Sequence, residues 1–318
     1  MKTCLLLTEQ FEPTADLLVA EMRRRDVPCV RWNLDQFPVN STLTYRACSN
    51  NFRTEIVADG RKVDLNNVGS IWCRGVQALG FPPDLSTPDR KFAEAETERA
   101  LGALCTVASV TWMNHPYCHI RANSKPAQLA IACKLGLDVP PTVITNDPAE
   151  ARAFIAGAKG ETIYKAHTQS LDTGPGKALF TSIVTEAALT RLDLIQVTPG
   201  IFQSFVPKAF ELRITVIGNR IFSAKIDSQS RQETRVDWRH RPFEADAAVD
   251  VPPDIEAKLH AFMKKLGLLY GAFDFIVTPE GRHVFLEVNP AGQYMWIESK
   301  LGLPITAAIV DALTRPCE

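Results

Sequence analysis

No Cys-x-x-Cys pair occurs in this chain, no run approaches the ~20 apolar residues of a membrane-spanning helix, and neither sign of charge dominates. Each absence removes a class of function. The eight cysteines, at positions 4, 29, 48, 73, 105, 118, 133 and 317, have no regular spacing. They read as reduced, mostly buried thiols of a cytoplasmic protein, not as a disulfide framework or a zinc site. A formal net charge of −1 gives no electrostatic case for a nucleic-acid partner or an anionic membrane. Lys2 is followed only by Cys4-Leu5-Leu6-Leu7 before Thr8-Glu9, which is too short for the apolar core of a signal peptide. Internal repeats and low-complexity segments are lacking too. What is present is ordinary for a globular protein: 46% hydrophobic and 22% charged residues over 318 positions. That length exceeds what one core usually serves, so two or three domains are expected.

The order of patterns divides the chain at about 1–120, 121–198 and 199–318. In the first region, Thr3–Leu7, Val27–Trp32 and Gly69–Trp72 read as strands. Between the first two lies a helix with Leu17, Leu18 and Met22 as its apolar stripe and Arg23-Arg24-Arg25 at its C-terminal end, where cations suit the dipole. Strand–helix–strand order predicts a small parallel α/β domain. A long helix from about Asp89 to Ala108 follows the proline-rich loop at 81–88. The second region opens with a helix capped by Asn123 or Ser124 and stopped near Gly136. A further helix starts at Asp147-Pro148-x-Glu150, a capping-box-like signature. Thr162–Ala166 reads as a strand and Thr173–Lys177 as a glycine-containing loop. The third region holds a strand at Phe202–Val206 and then a hairpin, Leu212–Ile217 and Arg220–Ile226, around Gly218-Asn219. A polar stretch, Ser228–Arg241, and a helix with Ile255, Leu259, Phe262 and Leu266 lead to a final hairpin.

That final hairpin, residues 271–290, is the most informative part of the chain. Two runs rich in Phe, Val, Ile and Leu flank Thr278-Pro279-Glu280-Gly281, yet they carry Asp274, Glu287 and Asn289. Strand side chains alternate faces. A four-residue turn would pair Val277 with Arg282 and place Asp274 opposite Phe285. Glu287 would then lie diagonally across from Asp274, about 7–8 Å away on the same face. Phe285 and His283 would share that face, with Phe273, Phe275, Val284, Leu286 and Val288 on the other. Burying carboxylates without partners costs several kcal/mol, roughly. A hard divalent cation such as Mg²⁺, which takes oxygen ligands, relieves that cost. Upstream, Lys125 stands at a helix start, Lys165 sits within an apolar strand, and Glu211 and Arg213 share one strand face. Two lysines, a glycine loop and a Mg²⁺-type site are what a nucleoside triphosphate requires. Lys225 falls on the opposite face from Glu211 if Ile217 pairs with Arg220, and so is left out.

In these residues the chain resembles the ATP-grasp ligases, whose last hairpin carries an Asp and, after twelve residues, Glu-x-Asn: here Asp274 and Glu287-Val288-Asn289. The resemblance runs over essentially the whole chain. It implies a mixed α/β and α+β fold: an N-terminal pre-ATP-grasp α/β domain, then two subdomains that clasp ATP. It implies two Mg²⁺ ions, one on Asp274 and Glu287 and a second on Glu287 and Asn289. Lys125 and Lys165 match the phosphate-contacting lysines, Gln203-Ser204-Phe205-Val206 the hinge that holds adenine, and Glu211 the ribose carboxylate. Within the superfamily the wording is most similar to the microviridin-type, or graspetide, ligases. The phrases are Trp112–Pro116, Asn123–Gln128 running into Gly136–Pro140, Thr142–Asn146, Glu211–Gly218, Ile226–Gln229 and Asp237-Trp238-Arg239. Such enzymes phosphorylate Asp or Glu side chains of a ribosomal precursor peptide and close esters with Ser/Thr or amides with Lys. Arg213 and Arg239 would hold the substrate carboxylate. The leader segment of the precursor would dock on residues 199–245, and two copies would pair as a homodimer. The rivals are a ligase that adds free amino acids to a carboxylate and a nucleotide-binding protein without turnover. The strand lysine is followed here by Ala166 where the family often has Pro. Arg74 stands where the family has an Arg-rich patch, but its second Arg is Gly75 here.

Overall fold

The computed structural model of the chain describes residues 2–74, 79–168, 180–240 and 245–315. The Thr173–Lys177 loop and Arg241 lie outside them. The first region contains strands β1 (Thr3–Thr8), β2 (Cys29–Asn33), β3 (Thr42–Cys48), β4 (Asn51–Ala58), β5 (Arg61–Asp64), β6 (Val68–Cys73) and β7 (Thr111–Met113). β2-β1-β6-β7 form a parallel sheet, as strand–helix–strand order predicts. Helix α1 (Pro13–Arg24) packs on it through Thr14, Ala15, Leu18 and Met22. Leu17 is 40% exposed, contrary to the sequence reading: it lies one residue, about 100° around the helix, from Leu18. Helix α2 (Thr87–Val107) runs two residues longer at its start than expected, because the Ser86 side chain caps it by accepting from the Asp89 amide. The β3-β4-β5 meander was not anticipated, although Ser49-Asn50 and Asp59-Gly60 are two-residue turns of the hairpin kind. Asn50, Asp59 and Gly60 all take positive φ there. The seven described cysteines are free thiols; only Cys4 is buried, and Cys48 and Cys133 are exposed, against the expectation of mostly buried ones.

The second region holds α3 (Pro116–Ala122), α4 (Lys125–Lys134), β8 (Thr142–Thr145), α5 (Pro148–Gly157), β9 (Thr162–Lys165), β10 (Ser182–Ile183) and α6 (Glu186–Leu189). Asp147 caps α5 by accepting from the Ala149 amide, with Pro148 at its first turn. Strand β11 (Gly200–Ser204) joins these strands in an antiparallel sheet of order β10-β9-β11-β8. It starts and ends two residues before the strand read at Phe202–Val206.

The remaining elements are β12 (Phe210–Ile217), β13 (Arg220–Ile226), β14 (Ala247–Ala248), α7 (Pro253–Leu266), β15 (Tyr270–Val277), β16 (His283–Asn289), α8 (Met295–Leu301) and α9 (Ile305–Thr314). The sheet order is β14-β13-β12-β15-β16. Ile217 pairs with Arg220, as the Gly218-Asn219 turn predicts, and Lys225 lies over the Phe210 ring at 4.8 Å. One face of the sheet, with Leu212, Ile214, Val216, Phe273 and Phe275, packs on α7 through Ile255, Leu259, Phe262 and Leu266. The other face carries Tyr270 and Ala272 into a second core, shared with α9, α1 and the N-terminal sheet. Two polar anchors span the same junction. The Asn114 amide donates to the Tyr270 and Pro290 carbonyls and accepts from the Leu269 and Tyr270 amides. Buried Arg74 reaches the Gly292 carbonyl with both terminal nitrogens, at 3.3 and 3.2 Å. No helix among the described residues is long and apolar enough to cross a membrane.

Candidate active site

The last hairpin keeps its polar residues together but not in the register counted from the sequence. The turn spans five residues, so Val277 pairs with His283, not Arg282. Phe275 pairs with Phe285, and the register then shifts so that Asp274 lies directly opposite Glu287. A β-bulge causes the shift: one extra residue on β16 faces the same partner position. Its consequence is a change of face. Phe285 turns into the core beside Phe262, Phe273 and Phe275, while Leu286 lines the cleft next to Glu287. The sequence reading had these two residues the other way round. The outer edge of β16 is covered, not left open to pairing. The Gln128 side chain accepts from the Val288 amide and donates to the Val288 carbonyl, both at 2.9 Å. Phe285 donates its amide to the Asp138 carbonyl at 2.8 Å.

Between the central and C-terminal sheets lies a cleft of about 760 Å³, its open mouth included. Ten of the twelve candidate residues line it: Lys125, Lys165, Gln203, Ser204, Phe205, Val206, Glu211, Arg239, Asp274 and Glu287. The two that do not are Arg213 and Asn289. Arg213 lies behind the wall, with Nη1 2.8 Å from both oxygens of Asp274 and its guanidinium over the Trp238 ring. Asn289 lies in an adjoining groove lined also by Lys125, Gln128 and Glu287, so the hairpin carboxylate and Lys125 face both spaces. The Lys125 ammonium bonds to the Glu287 carboxylate. Arg239 is held by Asp237 through Nε at 2.8 Å and Nη2 at 2.5 Å, and Asp237 also accepts from the Thr181 amide at 3.1 Å. Glu211 takes an ion pair at 2.7 Å from Lys208, not from Arg213. Asp237 and Lys208 both line the cleft; sequence reading singled out neither as a site residue. The Asp237-Trp238-Arg239 phrase was a usable signal for the first. Lys208, in a connecting loop, had none.

The charges in the cleft bias one another. Burial pushes the Asp274 carboxyl above the usual carboxylate range, and Glu287 opposite adds to the push, while Arg213 opposes both. Burial also works against ionisation of Glu287, but the cations around it, Lys125 first and then Lys165 and Arg239, together hold the group well below that range. Burial pulls the Lys165 ammonium down to about 8, with Glu287 pulling it back up and Lys125 pushing it further down. Asp237, though buried, is held down to about 2 by its two-point contact with Arg239.

Among the described residues no group of three or more His, Cys, Asp or Glu side chains converges. Asp274 and Glu287 face each other across paired strands, and Asn289, two residues along from Glu287, carries an amide oxygen. The Asn289 oxygen accepts from the Ala291 amide at 2.9 Å, which leaves a second lone pair. Two carboxylates and an amide oxygen fit a hard cation, and partial protein ligation is what Mg²⁺ accepts.

Residues 3–119 match the family model described as the MvdD pre-ATP grasp domain. A Chryseobacterium gregarium RiPP-associated ATP-grasp ligase, solved with ADP and a leader and core peptide, superposes with a TM-score of 0.92 at 27% identity, over 98% of this chain and 96% of that one. The macrocyclase MdnC of Microcystis aeruginosa, solved with its precursor peptide MdnA, is 30% identical over 98% of this chain and 99% of its own, with a TM-score of 0.87. The macrocyclase MdnB of the same organism is 29% identical over 99% of both chains, with a TM-score of 0.83. The comparison with curated protein sequences yields no match.

Proposed function

The chain belongs to the ATP-grasp peptide macrocyclases, the family of MdnC, and from that membership we propose how its residues cross-link a ribosomal precursor peptide. It is an ADP-forming ligase with the ATP-grasp fold and a pre-ATP-grasp domain. The observation that carries the site assignment is the convergence of Asp274, Glu287, Lys125, Lys165, Glu211 and the 203–206 segment on one cleft.

A carboxylate is a poor electrophile, so an Asp or Glu side chain of the peptide first attacks the γ-phosphorus of ATP. The bond to the β,γ-bridging oxygen breaks, and an acyl phosphate and ADP result. A Ser/Thr hydroxyl or a Lys amine then attacks the acyl carbon, phosphate leaves, and the nucleophile's proton is released. Asp274, Glu287 and Asn289 would hold two Mg²⁺ ions, which supply charge neutralisation for the transferring group. Lys125 and Lys165 reach the phosphates, and Glu211 accepts from the ribose. The Ser204 and Phe205 amides already donate to the Pro141 and Glu161 carbonyls. The adenine edge therefore meets the Val206 amide and the carbonyls of the hinge. Gln203, on the cleft wall, steadies the hinge by donating to the Thr142 hydroxyl at 2.9 Å. Arg239 is the cation that faces the acyl carbon and steadies the developing oxyanion. Arg213 serves the site from beneath, by holding Asp274.

The leader segment of the precursor docks on residues 199–245 in this reading. Two copies pair as a homodimer, for which the 71% exposed Phe92 on α2 offers apolar surface. Free thiols and an ATP co-substrate support a cytoplasmic setting. The direct test is incubation with a precursor peptide, Mg²⁺ and ATP. Each bond should remove the mass of one water; a gain of an amino-acid residue mass would overturn the reading.

Lys165 predicts a pH dependence. Its charge is lost as pH rises through about 8 in the free enzyme. Because kcat/KM reports free-enzyme ionisations, kcat/KM for ATP should fall above about pH 8. Lys165→Arg, whose charge persists, should remove that limb. A limb unchanged in the variant would exclude Lys165 as its source.

A further inference from the structure

Lys208, 7% exposed, is the least exposed lysine among the described residues. It lies in the connection between β11 and β12, and its ammonium donates to Glu211 Oε1 at 2.7 Å and to the Val236 carbonyl at 3.1 Å. Taking a lysine and a glutamate out of water rarely repays its cost in net stability. The use of such a pair is in geometry. Val236 immediately precedes Asp237, whose carboxylate holds Arg239 by two bonds. Trp238, between them, packs on the Trp296 ring at 5.5 Å and under the Arg213 guanidinium at 5.8 Å. A continuous series of contacts thus runs from Glu211 through Lys208 and the Val236 carbonyl to Arg239, along the wall of the cleft and not across it.

We propose that Lys208 is a positioning residue that couples nucleotide bound at Glu211 to the placement of the Asp237–Arg239 segment. The proposal rests on the reading of Glu211 as the ribose carboxylate. A carboxylate accepts about four hydrogen bonds, so the Lys208 contact leaves capacity for two ribose hydroxyls. When those hydroxyls donate, they draw on the carboxylate's charge and weaken its hold on the ammonium. Lys208 then leans on its other acceptor, the Val236 carbonyl, and draws the segment that carries Arg239 with it. Arg239 is placed for acyl transfer when nucleotide is bound. By linkage the effect is reciprocal: whatever fixes Arg239 tightens nucleotide binding by the same factor.

Trp238 is the built-in reporter. Tryptophan fluorescence of the full chain is titrated with Mg·ADP, with ADP binding followed in parallel by calorimetry. The wild type should show a fluorescence change that is absent in Trp238→Phe. Lys208→Met should bind ADP less than about tenfold more weakly, yet lose most of the change at saturating ADP. Lys208→Arg should restore more than half of it. On the wild type, 2′,3′-dideoxy-ADP at saturation should bind without producing the change, an arm that needs no variant to fold. A full change with Lys208→Met or with the dideoxy nucleotide would overturn the proposal, as would a wild-type change that survives Trp238→Phe. An absence of ADP binding to the wild type by calorimetry would instead overturn the nucleotide reading itself.

Discussion

Glu287→Gln is expected to abolish cross-linking, by at least about 10³-fold, while leaving the protein folded. Glu287 stands opposite Asp274 in the register and faces both the cleft and the Asn289 groove. In the reading proposed it is the ligand common to both metal ions, so its neutral isostere weakens both at once. The stability cost should be modest. Glu287 and its partner Lys125 keep side-chain exposures of 22% and 16%, and a Gln oxygen still accepts from the ammonium. A loss of about 1–2 kcal/mol, discounted for solvent screening, is the expected scale. Glu287 also pulls the Lys165 ammonium upward, so the variant's Lys165 should deprotonate at lower pH than the wild type's. Mass spectrometry of the peptide product and a thermal melt check the two halves of the prediction. Turnover within tenfold of wild type would refute the metal assignment; a collapsed melt would show that the carboxylate is chiefly structural.

The register behind that prediction shows where reading from sequence ends. Asp274, Glu287 and Asn289 are legible because acids and amides are costly in strands otherwise built from Phe, Val and Leu. The bulge that sets Asp274 and Glu287 face to face is not legible. It is an extra backbone residue with no composition of its own, and it sends Phe285 into the core while bringing Leu286 to the cleft. The α7 stripe was readable, because four apolar residues at helical spacing all found the core. Leu17 leaves the apolar stripe because neighbouring leucines cannot both sit at the centre of one helix face. The meander over 42–64 carries its own signal in Asp59-Gly60, a two-residue turn of the hairpin kind. Partner choice among buried charges was the least legible of all. Glu211 and Arg213 share a face, yet Glu211 pairs with Lys208 in the loop just before its strand and Arg213 with Asp274 on a strand distant in sequence.

Arg213→Met is the variant expected to cost most stability, about 3–5 kcal/mol. It removes the cation that contacts both oxygens of Asp274, in a place where side-chain exposures are 8% and 12%. What remains is a buried carboxylate facing Glu287. Burial and Glu287 already raise the Asp274 pKa, and Arg213 is the chief restraint on it, so the variant should raise it further. The sign of the pH dependence follows. A carboxyl whose folded-state pKa is raised binds more protons folded than unfolded, so its penalty is full above the folded pKa and disappears below the unfolded one. The loss of Tm should therefore be larger at about pH 8 than at about pH 5. A merely steric cavity at Arg213 would give the same loss at both. Adding Asp274→Asn to Arg213→Met should recover much of the stability, since the two form one charged unit and are not additive. The double variant should nonetheless stay inactive, because the amide that relieves the fold cannot replace the carboxylate that holds the metal. Restored stability with restored turnover would place Arg213 and Asp274 in the scaffold alone.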